Sequence, residues 1–200
     1  MGTARAATVW VVAAVGYLVL EAVAAGYRPG YSYWTDYVSD LGLAAPQAYF
    51  MHAAFYLQGT LFLLGALLIV GLPHRRRAQL FLGLVAANAV GNMVIAIVHS
   101  GKVHVAGAAL AIVGGNAAIV AATAGAGLVA PVGGRRWYQM VSRLIAALGL
   151  SCLALLVVNS VAGRTVVLPN GAAERGSVYS ISTWQLLTSI CLLIRAGKKC

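Results

Sequence analysis

Six long apolar runs alternate with short polar connections along the chain, and each run is long enough to cross a bilayer. A hydropathy window of about 19 residues places them over residues 6–26, 49–70, 79–98, 105–129, 140–161 and 178–194. Pro29, Pro46, Pro73, Pro131 and Pro169 all fall between the runs, so no predicted helix contains a residue that would break it. The pattern predicts an all-α integral membrane bundle of six transmembrane helices, with residues 1–200 forming one domain. The first run has Arg5 ahead of it and Ala22, Val23 and Ala24 at its end, which is also the outline of a signal peptide. It is read as the first helix because it is long enough to cross, and because its loss would leave an odd number of crossings.

Composition agrees and removes other classes. Of the 200 residues 61% are hydrophobic and 9% charged, with a mean hydropathy of +0.86, whereas soluble domains run at roughly 45–50% apolar and about 25% charged. Six crossings of about 20 residues each leave no room for an extramembrane domain. The net charge of +10, from 14 basic and 4 acidic residues, raises nucleic acid as a partner until the charges are sorted by connection. Arg5, Arg75, Arg76, Arg77, Arg135, Arg136, Arg143, Arg195, Lys198 and Lys199 fall on one side with no acid. Arg28, Lys102, Arg164 and Arg175 fall on the other with all four acids, Glu21, Asp36, Asp40 and Glu174. Short basic loops stay in the cytoplasm, so both termini are expected there. The basic face then meets anionic headgroups, membrane lipids are the expected partners, and no nucleic-acid partner is expected.

Cys152, Cys191 and Cys200 lie in runs or at the tail and imply no disulfide framework. No CxxC, HExxH, GxSxG or phosphate-cradling motif occurs. Gly107, Ala111, Gly114, Gly115, Ala118, Ala122 and Ala126 make the fourth run rich in small residues, which places it at the bundle centre. No internal repeat is evident, which disfavours an inverted-repeat transporter.

Ionisable groups at membrane depth are costly and usually face a cavity or one another. His52, His99 and His104 fall at the outer ends of the second, third and fourth runs, while His74 lies in the cytoplasmic stretch HisArgArgArg. Helical spacing puts Asn88, Asn92 and His99 on one stripe, Trp10, Tyr17 and Glu21 on another, and His52 one turn from Tyr56. The stripes either line an outward-facing cavity or, for the asparagines and His52, bond neighbouring helices together. The outer loop from Tyr31 to Gly42 holds four aromatics and two carboxylates. One reading is an aromatic belt with Asp40 or Ser39 capping the turn into the second helix. The other is a lid whose carboxylates exchange protons and whose rings stack on a hydrophobic substrate.

The motif Ser39-Asp40-Leu41-Gly42, the stretch His104-Val105-Ala106-Gly107-Ala108, and Glu174-Arg175 ahead of a last helix bearing Trp184 are carried across nearly the whole chain. With them the sequence resembles the bacterial membrane family catalogued as domain of unknown function 998. That family is similar in outline to the superfamily of alkaline ceramidases and progestin-receptor-like membrane proteins, whose enzymes are metal-dependent lipid hydrolases using a Ser, an Asp and three His. The resemblance implies a multi-pass protein of a bacterial-type cell membrane, with Ser39, Asp40 and His104 as the matching site residues. The superfamily's late HxxxH pair is absent, since no histidine follows His104.

Three functions remain. The first is acid/base chemistry on a lipid or isoprenoid, best a protonation-initiated isomerisation or cyclisation. Here Asp40 or Asp36 is the acid, Glu21 or His104 the base, and Ser39 a further catalytic candidate. Tyr33, Trp34, Tyr37 and Trp184 form aromatic walls, and Asn88, Asn92, His99 and Arg175 complete the substrate contacts. No cofactor is expected for this chemistry. The second is hydrolysis of a lipid amide or ester at zinc held by His52, His99 and His104, although Lys102 between the last two repels a cation. The third is a non-catalytic binding or accessory protein in which Arg28, Arg164 and Arg175 pair with the four acids. Closed pairs and no cavity reaching Asn92 would favour it.

Overall fold

The computed structural model describes residues 2–43, 46, 48–71, 75–124, 128–129, 132 and 135–197. His74, Pro73, Pro131, Ala126, Lys198, Lys199 and Cys200, all named above, lie outside them. The described chain forms helices α1 (Gly2–Gly26), α2 (Ala48–Val70), α3 (Arg76–Ile97), α4 (Gly101–Thr123), α5 (Arg136–Ala162) and α6 (Asn170–Gly197), with a 3-10 turn at Ser39–Gly42. No strand occurs among the described residues, and all six helices are long and apolar enough to cross a membrane.

Each helix packs on its sequence neighbours, α6 closes the ring against α1, and α4 reaches across to α6. Apolar residues cover both faces of most helices, so the polar ones mark the inside. Val12, Val19, Leu64, Leu144, Leu148 and Val157 are exposed, whereas Gln58, Asn88, Asn92, Asn116 and Gln185 are buried. Lipid is as apolar as leucine, so packing and interhelical hydrogen bonds hold the bundle where a soluble core would rely on water. Asn116 Nδ2 donates to Ile112 O and Ser177 O, each at 3.0 Å, and its Oδ1 accepts from Ser180 Oγ at 2.8 Å, tying α4 to α6. Towards the termini, Trp10, Phe62, Phe81, Ile119, Tyr138 and Trp184 form one apolar cluster. Towards the opposite end Tyr17, Met51, Phe55 and Ile95 form another, plugged by Val38 and Leu41 from the first long loop.

Helix starts differ from the hydropathy reading. α6 begins at Asn170, eight residues before 178, and so takes Glu174 and Arg175 into the helix where the sequence set them ahead of it. The window misses this stretch because its residues are polar, yet Glu174, Arg175 and Ser177 are buried against other helices and need no apolar surface. α4 begins at Gly101 and stops at Thr123, short of 129. Its last carbonyls, which have no partner within the helix, accept from arginines, Arg143 Nη2 to Thr123 O at 3.1 Å and Arg77 Nη1 to Ala124 O at 2.8 Å, in the favourable sense for a helix C-terminus.

The small residues of α4 let α3 approach to backbone contact. At Gly91 an added Cβ would meet the backbone of Ala111 and Gly107, while at exposed Gly83 it would meet nothing within 4 Å. Gly91→Ala is therefore expected to cost about 1–3 kcal/mol, and Gly83→Ala to be neutral or to stabilise by about 0.5–1 kcal/mol. Thermal melting of the two variants in detergent measures the difference.

Candidate functional site

The loop-capped end of the bundle is organised by one buried cation. Arg175 Nε and Glu21 Oε1 form an ion pair at 3.1 Å between α6 and α1, with side chains 7% and 1% exposed. The other oxygen of Glu21 accepts from Tyr179 Oη at 2.8 Å. Arg175 Nη1 donates to the carbonyls of Tyr33, Asp36 and Gly171 at 2.7, 2.8 and 3.3 Å, and Nη2 donates to Tyr31 Oη. The rings of Tyr31 and Tyr33 cover the guanidinium, with centroids 5.4 and 4.6 Å from it. A charge without water is tolerated only with such pairing, and the planar fork serves several acceptors at once.

These bonds fasten the first loop onto α6. Backbone N–H groups of Gly171 and Ala172 donate to Thr35 O and Trp34 O at 3.2 and 3.0 Å, so loop carbonyls satisfy donors that the first turn of a helix leaves unpaired. Gly171 is required there, because an added Cβ would run into the backbone of Asp36. Further in, Glu174 Oε2 accepts the backbone N–H of Val38. Both loop carboxylates are occupied locally. Asp36 accepts from Ser32 N–H and Thr35 Oγ1, each at 3.0 Å, and Asp40 from Tyr37 N–H at 3.2 Å. The Ser32 N–H, and after it the Thr35 hydroxyl, hold the Asp36 carboxyl below the usual carboxylate range. Burial pushes the phenols of Tyr31, Tyr33 and Tyr37 up, so they act as neutral donors.

Beneath the loop lies a cavity with about 470 Å³ of free space, of which about 30 Å³ admits the centre of a water molecule. Tyr17, Gln58, Asn88, Asn92, Ser39 and Glu174 supply its polar lining. Asn88 Nδ2 bonds Ala111 O on α4 at 2.7 Å, and Asn92 Nδ2 bonds Asn88 O at 2.9 Å, so the pair joins helices and lines the cavity together. Tyr17 Oη and Gln58 Oε1 are buried with no hydrogen-bond partner. A second, apolar groove, with about 460 Å³ open to the centre of a water molecule, runs along α4 and α5, walled by Val105, Ala109, Leu153, Leu156 and Val157 with His104 and Tyr37. Ser39, Ala108, Ile112 and Glu174 belong to the walls of both spaces.

The other sequence candidates are dispersed. His52 and His99 stack with centroids 4.6 Å apart, and His52 Nε2 lies 2.9 Å from Gly42 O. His104 instead turns Nδ1 to Val98 O at 2.6 Å. No group of three or more His, Cys, Asp or Glu residues placed to hold a metal occurs among the described residues. Trp184 lies fully buried in the cluster nearer the termini, 5.2 Å from Trp10 between ring centroids, with Nε1 donating to Ser142 Oγ at 3.1 Å. Trp34 is exposed at the loop tip. A cavity does reach Asn92, although the Arg175–Glu21 pair is closed.

Gln58 and the central position of Glu174 escape the sequence reading. Once α6 is started at Asn170, the spacing of Glu174, Ser177, Ile181, Gln185 and Thr188 traces one buried face, and this is the signal that locates them. The chain matches, over residues 11–190, the family described as "Protein of unknown function (DUF998)". No curated protein and no solved structure matches it.

Removing one partner of the Arg175–Glu21 pair strands the other. Glu21→Gln and Arg175→Met are each expected to cost about 3–5 kcal/mol, the double variant less than their sum, and Arg175→Lys not to restore the loop carbonyl contacts; melting temperatures of the four variants decide. For Asp36, whose folded value is depressed, the stabilising contribution is complete above pH about 4 and is lost as pH falls through the folded value. The melting-temperature gap between the wild type and Asp36→Asn is therefore expected to close as the solution is acidified below that point.

Proposed function

Because the chain belongs to the DUF998 family, whose description carries no activity, we propose its function from the site: an enzyme that moves protons onto and off a lipid or isoprenoid chain reaching it sideways from the bilayer. One observation carries this reading. Glu174 stands in the wall of both a cavity with several polar side chains and an apolar groove, so a membrane-dissolved chain lying in the groove meets a carboxyl without passing through water.

The chemistry follows from the groups present. The chain lies along Ala109, Leu153, Leu156 and Val157, with a carbon–carbon double bond at Glu174. The Glu174 carboxyl gives its proton to one alkene carbon and leaves a carbocation on the other. The face of Tyr37 stabilises that charge, and the water-poor groove protects it. A proton then leaves a neighbouring carbon, re-forming a double bond in a new place or closing a ring, and no redox partner is needed. His104, also in the groove wall, takes this proton. Its Nδ1 faces a carbonyl, which can only accept, so Nδ1 carries the hydrogen and Nε2 presents a lone pair. Return of the proton to Glu174 completes the cycle. Glu21, Asp36 and Asp40 hold the loop above the site.

The distribution of basic residues supports both termini in the cytoplasm of a bacterial cell, which opens the groove to the outer leaflet of its membrane. The test is turnover of a total lipid extract by the protein in proteoliposomes made in D₂O. The expected product differs from its substrate by one deuterium in place of one hydrogen, and Glu174→Gln lowers its formation by about 10²-fold or more, with Asp36→Asn, which alters only the loop, as the control. A product enlarged by the elements of water, or turnover indifferent to Glu174→Gln, would count against the reading.

A further inference from the structure

The proton-transfer reading fixes where the chain lies; the cavity beside it limits what its end can be. We infer that the substrate's head is a small uncharged hydroxyl, as in a free prenol, and that Tyr17 and Gln58 bind it.

The argument starts from hydrogen bonds that the protein leaves unmade. Tyr17 and Gln58 are 1% and 3% exposed, and Tyr17 Oη and Gln58 Oε1 have no partner within the protein although both line the cavity. Buried polar atoms are normally satisfied; of the five unpartnered ones among the described residues, Ser182 Oγ, Gln185 Nε2 and Ser189 Oγ belong to residues away from the cavity, whereas Tyr17 and Gln58 line it, so these two call for a ligand or ordered water. Their chemistry is complementary to one group in particular. A phenol donates and an amide oxygen accepts, and a hydroxyl both accepts and donates.

Charge and size exclude the phosphorylated counterpart. Neither the cavity nor the groove has a Lys or Arg among its lining residues. Arg175, next to Glu174 in the chain, spends its Nε on Glu21, its Nη1 on three carbonyls and its Nη2 on Tyr31. Glu174 and His104, the acid and the histidine of the two walls, supply no fixed positive charge. A phosphate placed here would lose its water and gain no counter-ion. The 30 Å³ open to water centres suits one or two water-sized groups, of which a terminal hydroxyl is one. With the hydroxyl seated between Tyr17 and Gln58, the rest of the molecule leaves past Ser39 and Glu174, the residues shared with the groove, and its first double bond comes beside the carboxyl.

This inference rests on the lateral-access reading, and the experiment separates the two. Wild-type protein in bicelles is titrated with tritiated farnesol and with tritiated farnesyl monophosphate, and binding is followed by scintillation proximity. Farnesol is expected to bind at least about tenfold tighter, and Tyr17→Phe and Gln58→Leu each to weaken it about tenfold. Tyr17→Phe removes only an unpartnered hydroxyl, so its melting temperature stays near the wild type and reports that the fold is kept. Equal or tighter binding of the phosphate, or farnesol affinity unmoved by both substitutions, overturns the hydroxyl assignment; in the second case the cavity holds water alone. Either result leaves Glu174-dependent proton transfer standing. Failure of both probes to bind wild type overturns the assignment and lateral access together.

Discussion

Arg175 is the residue on which the loop-capped end of the bundle depends. A guanidinium set among helices in a bilayer is sustained only by its partners, and here they come from three places: Glu21 on α1, the carbonyls of Tyr33 and Asp36 in the first loop, and Gly171 on its own helix. Meeting the needs of one side chain therefore sets the distance between α1 and α6, the height of the loop and the angle at which α6 enters the bundle. Glu174, one residue earlier, is turned by the same helix towards Val38 and the cavity. The position of the acid is thus a consequence of the position of the base beside it.

The rest of the interior obeys the same economy. Lipid offers the outer surfaces of the helices no penalty for being apolar, so leucine and valine are as content outside as in. What distinguishes the inside is close approach and hydrogen bonding. Gly91 and Gly114 bring the α3 and α4 backbones together, Asn88 and Asn116 lock α3 to α4 and α4 to α6, and Gln58 reaches Gln185 at 2.9 Å between α2 and α6. Such polar residues can be supplied in matched sets, as at Asn116, where Nδ2 and Oδ1 all find partners. Around Tyr17 and Gln58 the set is incomplete at the cavity wall, as it is elsewhere at Ser182, Gln185 and Ser189 on α6.

The legible and illegible parts of this structure divide on a physical line. Span number, the proline-free helices and the close approach of α4 to α3 follow from hydropathy and residue size, properties that each segment carries by itself. The start of α6 does not, because a window that averages polarity reads Asn170 to Ser177 as loop, while the folded bundle reads them as a buried polar face. Charge sorting narrows the partners to two sets on one side and does not pair them, since Glu21 and Arg175 are 154 positions apart and no local spacing relates them. The aromatic, acidic loop is open to two readings; Asp36 and Asp40 accept the backbone N–H groups of Ser32 and Tyr37 within the loop, and the 3-10 turn at Ser39–Gly42 has no side-chain cap. Trp184 was grouped with the loop aromatics by composition, yet its place well along α6 puts it beside Trp10, at a depth the loop does not reach.

The same line explains why the proton-exchanging group in the proposed reaction sits on a helix. A catalytic carboxyl has to be held in one place while its bond to a proton changes, and rigid elements hold side chains better than loops. Asp36 and Asp40 are rigid only because their oxygens are bound to the backbone of their own turns, and using them for proton transfer would break the geometry that keeps the loop closed. Glu21 is committed to Arg175 on one oxygen and to Tyr179 on the other. Glu174 alone among the four acids gives one oxygen to a loop amide while lining the two spaces that meet beside it. A single carboxyl is then both fixed and available, and the three other acids hold the loop above it.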